Sequence, residues 1–168
     1  FSPRGIAVDG NMQTNVPHVY AVGDVNGLMM LAHAATFQGI RALDAIMGVD
    51  DNLRLDVIPA AVFTMPEVGM VGLTEDDCKA QGIEYVAKKA FFRANGKAVG
   101  LDETDGYCKL IAAADGRLLG CHIYGPHAAD LVQEACALIT RGDSIVDLQG
   151  IVHSHPTLSE IVQSAAHC

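Results

Sequence analysis

The chain has 168 residues, half of them apolar and 18% charged, enough to bury one core and part of another. Eleven basic against 20 acidic residues give a net charge of -9, and no stretch gathers Lys and Arg, which disfavours nucleic acid and anionic membrane surfaces as partners. No apolar run reaches the roughly 18 residues of a membrane helix, and the five cysteines lack any C-x-x-C spacing, so unpaired thiols in the reducing cytoplasm are expected.

In chain order, the first apolar runs, 5–8 and 19–22, lie between turn formers such as Asp9-Gly10-Asn11 and Asn15-Val16-Pro17 and read as two short strands. From Leu31 the pattern turns helical, with Ile40, Leu43 and Met47 on one face and Gly48 where a helix-ending glycine belongs. Residues 49–56 are charged and irregular and predict a domain boundary. Beyond it, 60–63 and 68–71 read as strands, Thr74 caps a helix over 75–80, and 85–92 is a further strand. Asp115-Gly116 tolerates the positive φ angles of a tight turn and predicts a hairpin between 107–113 and 117–124. Leu131, Ala135, Leu138 and Ile139 form the stripe of an amphipathic helix ending near Gly142. Asp143 or Ser144 caps a shorter helix to Leu148, and Thr157 with Glu160 predicts a capping box that starts the last helix. Strands followed by helices define an α+β domain over 56–168, with an antiparallel sheet, preceded over 1–55 by the strand and helix that end another domain. The chain opens on Phe1 rather than a start residue, and reads as a piece of a longer protein.

The densest chemical signal is His153-Ser154-His155-Pro156-Thr157-Leu158-Ser159-Glu160. Glu160, five residues on, can reach a ring nitrogen of His155, fixing its tautomer and raising its basicity. Spacing alone also allows Glu160 to serve only the capping box, with His155 an ordinary surface residue. A metal site using His153, His155 and Glu160 is a third reading, for which no further ligand lies close in sequence. A trans bond is expected at His155-Pro156.

A second signal is the run Ala21-Val22-Gly23-Asp24 followed by Met30-Leu31-Ala32-His33. Asp24 beyond a strand end can accept hydrogen bonds from ligand hydroxyls, and Gly23 allows close approach. The helix start at Met30 to His33 offers N–H groups and a positive dipole end to an electron-rich ring or oxyanion. A strand, turn and buried helix with no ligand is the alternative.

In this order, these signals resemble the pyridine nucleotide-disulfide oxidoreductases. The resemblance implies that Asp24 binds the ribityl chain of FAD, that Met30, Leu31, Ala32 and His33 face the flavin ring, and that His155 and Glu160 are the acid-base pair. The stretches 66–74 and 120–130, with His155-Pro156-Thr157-Leu158, are most similar to the members that oxidise dihydrolipoamide. A glutathione reductase-like or transhydrogenase member is the alternative. No G-x-G-x-x-G and no C-x-x-x-x-C is present, and the family places these upstream. The resemblance therefore implies that 1–55 end an α/β FAD-binding domain and that 56–168 form the dimerisation domain. It further implies a homodimer that uses FAD and NAD and takes dihydrolipoamide, including that carried on a domain of a 2-oxo acid dehydrogenase complex. For the isolated chain, a dimerisation module with no activity and no retained cofactor is expected.

Overall fold

The computed structural model describes residues 3–168 and divides the chain into two units, one ending at Asp56 and the other spanning Val57–Cys168. In the first, helix α1 (Ala32–Met47) begins without a side-chain cap at Leu31 and ends on Gly48 in the left-handed region, whose N–H returns to the Asp44 and Ala45 carbonyls. Its buried side carries Ala34, Gln38 and Ala42. The two short strands expected over 5–8 and 19–22 do not form as strands. A ladder needs a neighbour along its whole length. Here the described residues supply isolated bridges such as Gln13↔Tyr20 and single bonds such as Ala21 N–H to Met12 O (3.0 Å) and Ile6 N–H to Val25 O (2.9 Å). The stretch 49–56 is fixed by Arg41 of α1. Its Nε lies 2.5 Å from Asp51 Oδ2, and its Nη2 donates to Leu53 O at 2.7 Å.

The second unit contains β1 (Ala60–Val62), β2 (Glu67–Gly72), α2 (Glu75–Gln81), β3 (Tyr85–Phe91), α3 (Gly96–Leu101), β4 (Tyr107–Ala113) and β5 (Leu118–Gly125). It ends with α4 (Ala128–Arg141), α5 (Ile145–Gln149) and α6 (Glu160–His167). The five strands form an antiparallel sheet in the order β1-β2-β5-β4-β3. The α+β architecture expected from the order of elements is the one observed. The β4–β5 hairpin turns where Asp115-Gly116 predicts: Gly116 has φ 89°, and Asp115 Oδ1 accepts from Arg117 N–H at 3.0 Å.

Alternation along β4 and β5 sends Cys108, Leu110, Cys121 and Ile123 into the core. There α4 packs against β2 and β5, and α6 against β3 and β4, contributing Val132, Ala135, Ile161 and Val162. Full burial of each larger side chain stabilises the unit by roughly 1.5–3 kcal/mol. Gly69 sets the closeness of α4 to β2, since a Cβ there would lie 2.1 Å from the Ala128 carbonyl oxygen. This sheet and its two helices carry the loop 150–159, on which His155 stands.

Candidate functional site

Between α5 and α6 the chain runs without regular structure, because Gly150 closes α5 and Pro156 lacks a backbone donor. The loop is tied down at its near end by Gln163 Nε2 donating to Ile151 O at 2.7 Å. His153 turns inward. Its Nε2 lies 2.8 Å from Glu134 Oε1 on α4 and its Nδ1 3.2 Å from Ile151 O, leaving only 4% of its side chain exposed. His155 points the other way, with 77% of its side chain exposed, and its Nδ1 lies 2.9 Å from Glu160 Oε1. The metal reading is therefore corrected: the two imidazoles do not converge. Among the described residues no group of three or more His, Cys, Asp or Glu is placed to hold a metal ion. The His155-Pro156 bond is cis where trans was expected.

Glu160 does two things that sequence spacing presents as alternatives. One oxygen meets His155, and the other, Oε2, accepts the Thr157 N–H at 2.8 Å. The Thr157 backbone bond first, and the His155 ring second, hold the Glu160 carboxyl below the usual carboxylate range. The box is not closed in the predicted way. The Thr157 hydroxyl donates to Ser154 O (2.7 Å) and lies 2.9 Å from the Ser159 hydroxyl, so α6 starts at Glu160 rather than just after Thr157. An ionised carboxylate can only accept, so it selects the tautomer with hydrogen on Nδ1 and leaves the lone pair on Nε2. An exposed imidazole held that way can take a proton from an incoming acid. Glu134 is absent from the sequence reading, since nothing local connects it to a histidine 19 residues away.

In the first unit, Asp24 is exposed on a short 3-10 turn, Gly23–Asn26, rather than at the end of a regular strand. Gly23, with φ 75°, and Asn26 are both held by buried Gln38 of α1: its Oε1 accepts Gly23 N–H at 2.7 Å and Asn26 Nδ2 at 2.8 Å. This buried amide pair, invisible in the local pattern, fixes the turn that presents Asp24. Met30 is 66% exposed, Leu31 is the uncapped N-cap, and Ala32 and His33 open α1 on its exposed side. An exposed carboxylate and an uncapped helix start fit a hydroxylated chain and an electron-rich ring edge.

The sequence and the helix-backed antiparallel sheet match a known family. The sequence profile of the pyridine nucleotide-disulphide oxidoreductase dimerisation domain matches residues 58–166, and that of a further pyridine nucleotide-disulphide oxidoreductase domain matches residues 2–39. The chain belongs to the pyridine nucleotide-disulphide oxidoreductases. Among its curated relatives are dihydrolipoyl dehydrogenase 2, chloroplastic, of Arabidopsis thaliana, 47% identical over 92% of this chain and 28% of that protein, and the dihydrolipoyl dehydrogenase of Bacillus subtilis, 42% identical over 99% and 36%. The chain thus spans about a third of the length of the relatives it matches. Among solved structures, LpdA of Mycobacterium tuberculosis superposes with a TM-score of 0.90 at 26% identity, covering 97% of this chain and 36% of that one. The flavoprotein disulfide reductase RclA of Escherichia coli shares the fold, with a TM-score of 0.85 at 22% identity over 99% of this chain and 39% of that one.

Proposed function

We propose that the chain is the C-terminal part of a dihydrolipoamide dehydrogenase-like flavoenzyme, supplying its homodimer interface and the acid-base pair His155–Glu160. The observation that carries this reading is the 2.9 Å contact between His155 Nδ1 and Glu160 Oε1 on an otherwise exposed imidazole. A free thiol has a pKa near 8.5 and is mostly protonated at neutral pH, whereas disulfide exchange needs the thiolate. His155 Nε2 takes that proton, and Glu160 orients the ring. General base action of this kind contributes roughly 10²- to 10⁴-fold.

In the parent protein, FAD and NAD supply the electron-accepting chemistry. Within this chain Asp24 would hold the hydroxylated chain of FAD, and the α1 start from Met30 to His33 would border its ring. These belong to residues 1–55, which we assign to the end of the FAD-binding domain, with 56–168 as the dimerisation domain. Dihydrolipoamide, free or on a carrier domain, is the substrate, and the protein works in the cytoplasm. Supporting that compartment, the five cysteines are free of disulfides. The isolated chain is inactive.

The pair serves the partner subunit's redox disulfide, and a mixed dimer tests this. One full-length chain carries His155→Ala and the other lacks a redox cysteine, so each homodimer is nearly inactive. In the mixed dimer one site combines an intact disulfide from the first chain with His155 from the second, and about half of normal turnover returns. No activity in a verified mixed dimer rejects the cross-subunit role. Normal lipoamide turnover by a His155→Ala parent rejects the catalytic one, since losing the base costs at least about 100-fold.

A further inference from the structure

We infer that Asn95 is a positioning residue for the His155–Glu160 pair, acting through Thr157; the inference rests on the reading of His155 as the base. Asn95 is the N-cap of α3 and is only 6% exposed. Its Oδ1 accepts the Ala98 N–H at 3.0 Å, the ordinary capping bond. That bond needs an oxygen, so it fixes the orientation of the amide and leaves Nδ2 at the other end. Nδ2 donates to Thr157 O at 3.1 Å, across 62 residues of chain. Asn95 is itself held by its backbone, with its N–H on Phe92 O (2.8 Å) and its carbonyl on Val99 N–H (3.0 Å), beside the fully buried Phe92.

A cap alone does not require asparagine, because Asp or Ser serves nearly as well. What asparagine adds is a donor, and here the donor is spent on the catalytic loop. Thr157 is the residue whose N–H holds Glu160 Oε2, while Glu160 Oε1 holds His155. The sequence Asn95, Thr157, Glu160, His155 is therefore an unbroken run of hydrogen-bonded residues from the buried end of α3 to the exposed imidazole. Without the Asn95 donor, Thr157 loses its tie to α3, and the carboxylate it holds loses its fixed place. A displacement of about 1 Å at a catalytic group can cost on the order of 10²-fold in rate.

The test uses the full-length holoenzyme with Asn95→Asp and Asn95→Ser. Both keep an oxygen to cap α3; Asp has no donor, and Ser lacks the second side-chain atom through which Asn95 reaches Thr157 O while capping. Two activities are compared: dihydrolipoamide oxidation, which needs the thiol proton removed, and NADH oxidation by ferricyanide, which does not. The ratio of the first to the second should fall about 10-fold or more in both variants, with KM for dihydrolipoamide within about twofold, as expected for a misplaced base. An unchanged ratio in either variant overturns the inference. So does a parallel fall of both activities in both variants, which would mark Asn95 as a purely structural residue. His155→Ala, assayed alongside, separates the two levels. If it keeps normal dithiol turnover the functional reading fails; if it loses turnover while the Asn95 variants keep theirs, only the role of Asn95 fails.

Discussion

Among the side chains that give this fold an acid sensitivity, Glu160 and His122 act in windows that open at different pH. Glu160 has its folded pKa held below 4.5 by the Thr157 N–H and then by His155. Its contribution to stability is complete above about pH 4.5 and is lost as pH falls below that value through the folded pKa. Glu160→Gln should reduce this lower limb in urea unfolding measured from pH 8 to pH 3. His122, on β5, has its pKa lowered, first by burial and then by Lys109, with Asp77 and Glu75 acting in the opposite direction. Its Nδ1 is buried without a partner. The unfolded chain takes up this proton near pH 6.5 and the folded chain does so only at lower pH. Stability linked to His122 is therefore complete above about pH 6.5 and declines as pH falls from there through the folded pKa. His122→Gln should remove that upper step and leave the lower one, and the same titration reads both.

At the level of elements, two helices begin on complete capping boxes: Thr74 with Asp77 on α2, and Ser144 with Asp147 on α5. In each, the cap hydroxyl, followed by the cap backbone N–H, holds the aspartate below its usual pKa. Thr74→Ala and Ser144→Ala should each destabilise the chain by about 1 kcal/mol in chemical denaturation. Gly69→Ala should cost about 1–3 kcal/mol, because the added methyl meets the backbone of α4. Signals confined to a few neighbouring residues were legible beforehand: the Asp115-Gly116 hairpin, the Gly48 stop of α1 and the Thr74 cap each act over one turn. Helix α3 was not, since its six residues include Gly96 and Gly100 and show no apolar stripe. The His155–Glu160 contact was readable as one of several options because the two lie only five residues apart. Glu134, Asn95 and Gln38 were not, because each meets its partner only after the chain has folded back across a distance no local pattern encodes.

For the whole molecule, the second unit leaves Phe63 and Met65 in the β1–β2 connection, and Val152 in the loop 150–159, 81%, 100% and 93% exposed. Apolar side chains so exposed suit a two-fold contact between copies. Sedimentation of the isolated chain should show dimers at micromolar concentration, and Phe63→Asp should shift them towards monomer. A chain that stays monomeric throughout that range would count against the dimerisation role. Flavin retention is a separate matter. On the proposed reading Asp24 and the α1 start would supply one edge of a cradle with no phosphate-binding loop in this chain, so gel filtration should yield a colourless protein. A yellow chain holding stoichiometric flavin would mean that the binding determinants lie elsewhere.

On the proposed reading the protein's own cysteines sit in the same molecule as a dithiol reaction. Cys78, Cys108, Cys121 and Cys136 are buried, and burial raises the pKa of Cys78 and Cys136. For Cys108 the neighbouring Cys121 thiol, 3.9 Å away, raises it further. A sulfur buried away from any reagent is a spectator to thiol chemistry in the surrounding solution. Under native conditions an aromatic disulfide reagent should release about one equivalent of chromophore promptly, from exposed Cys168, and the other four only as the protein opens. Slow thiol release would then serve as a clock for unfolding, with the protein's own sulfur atoms as the reporters.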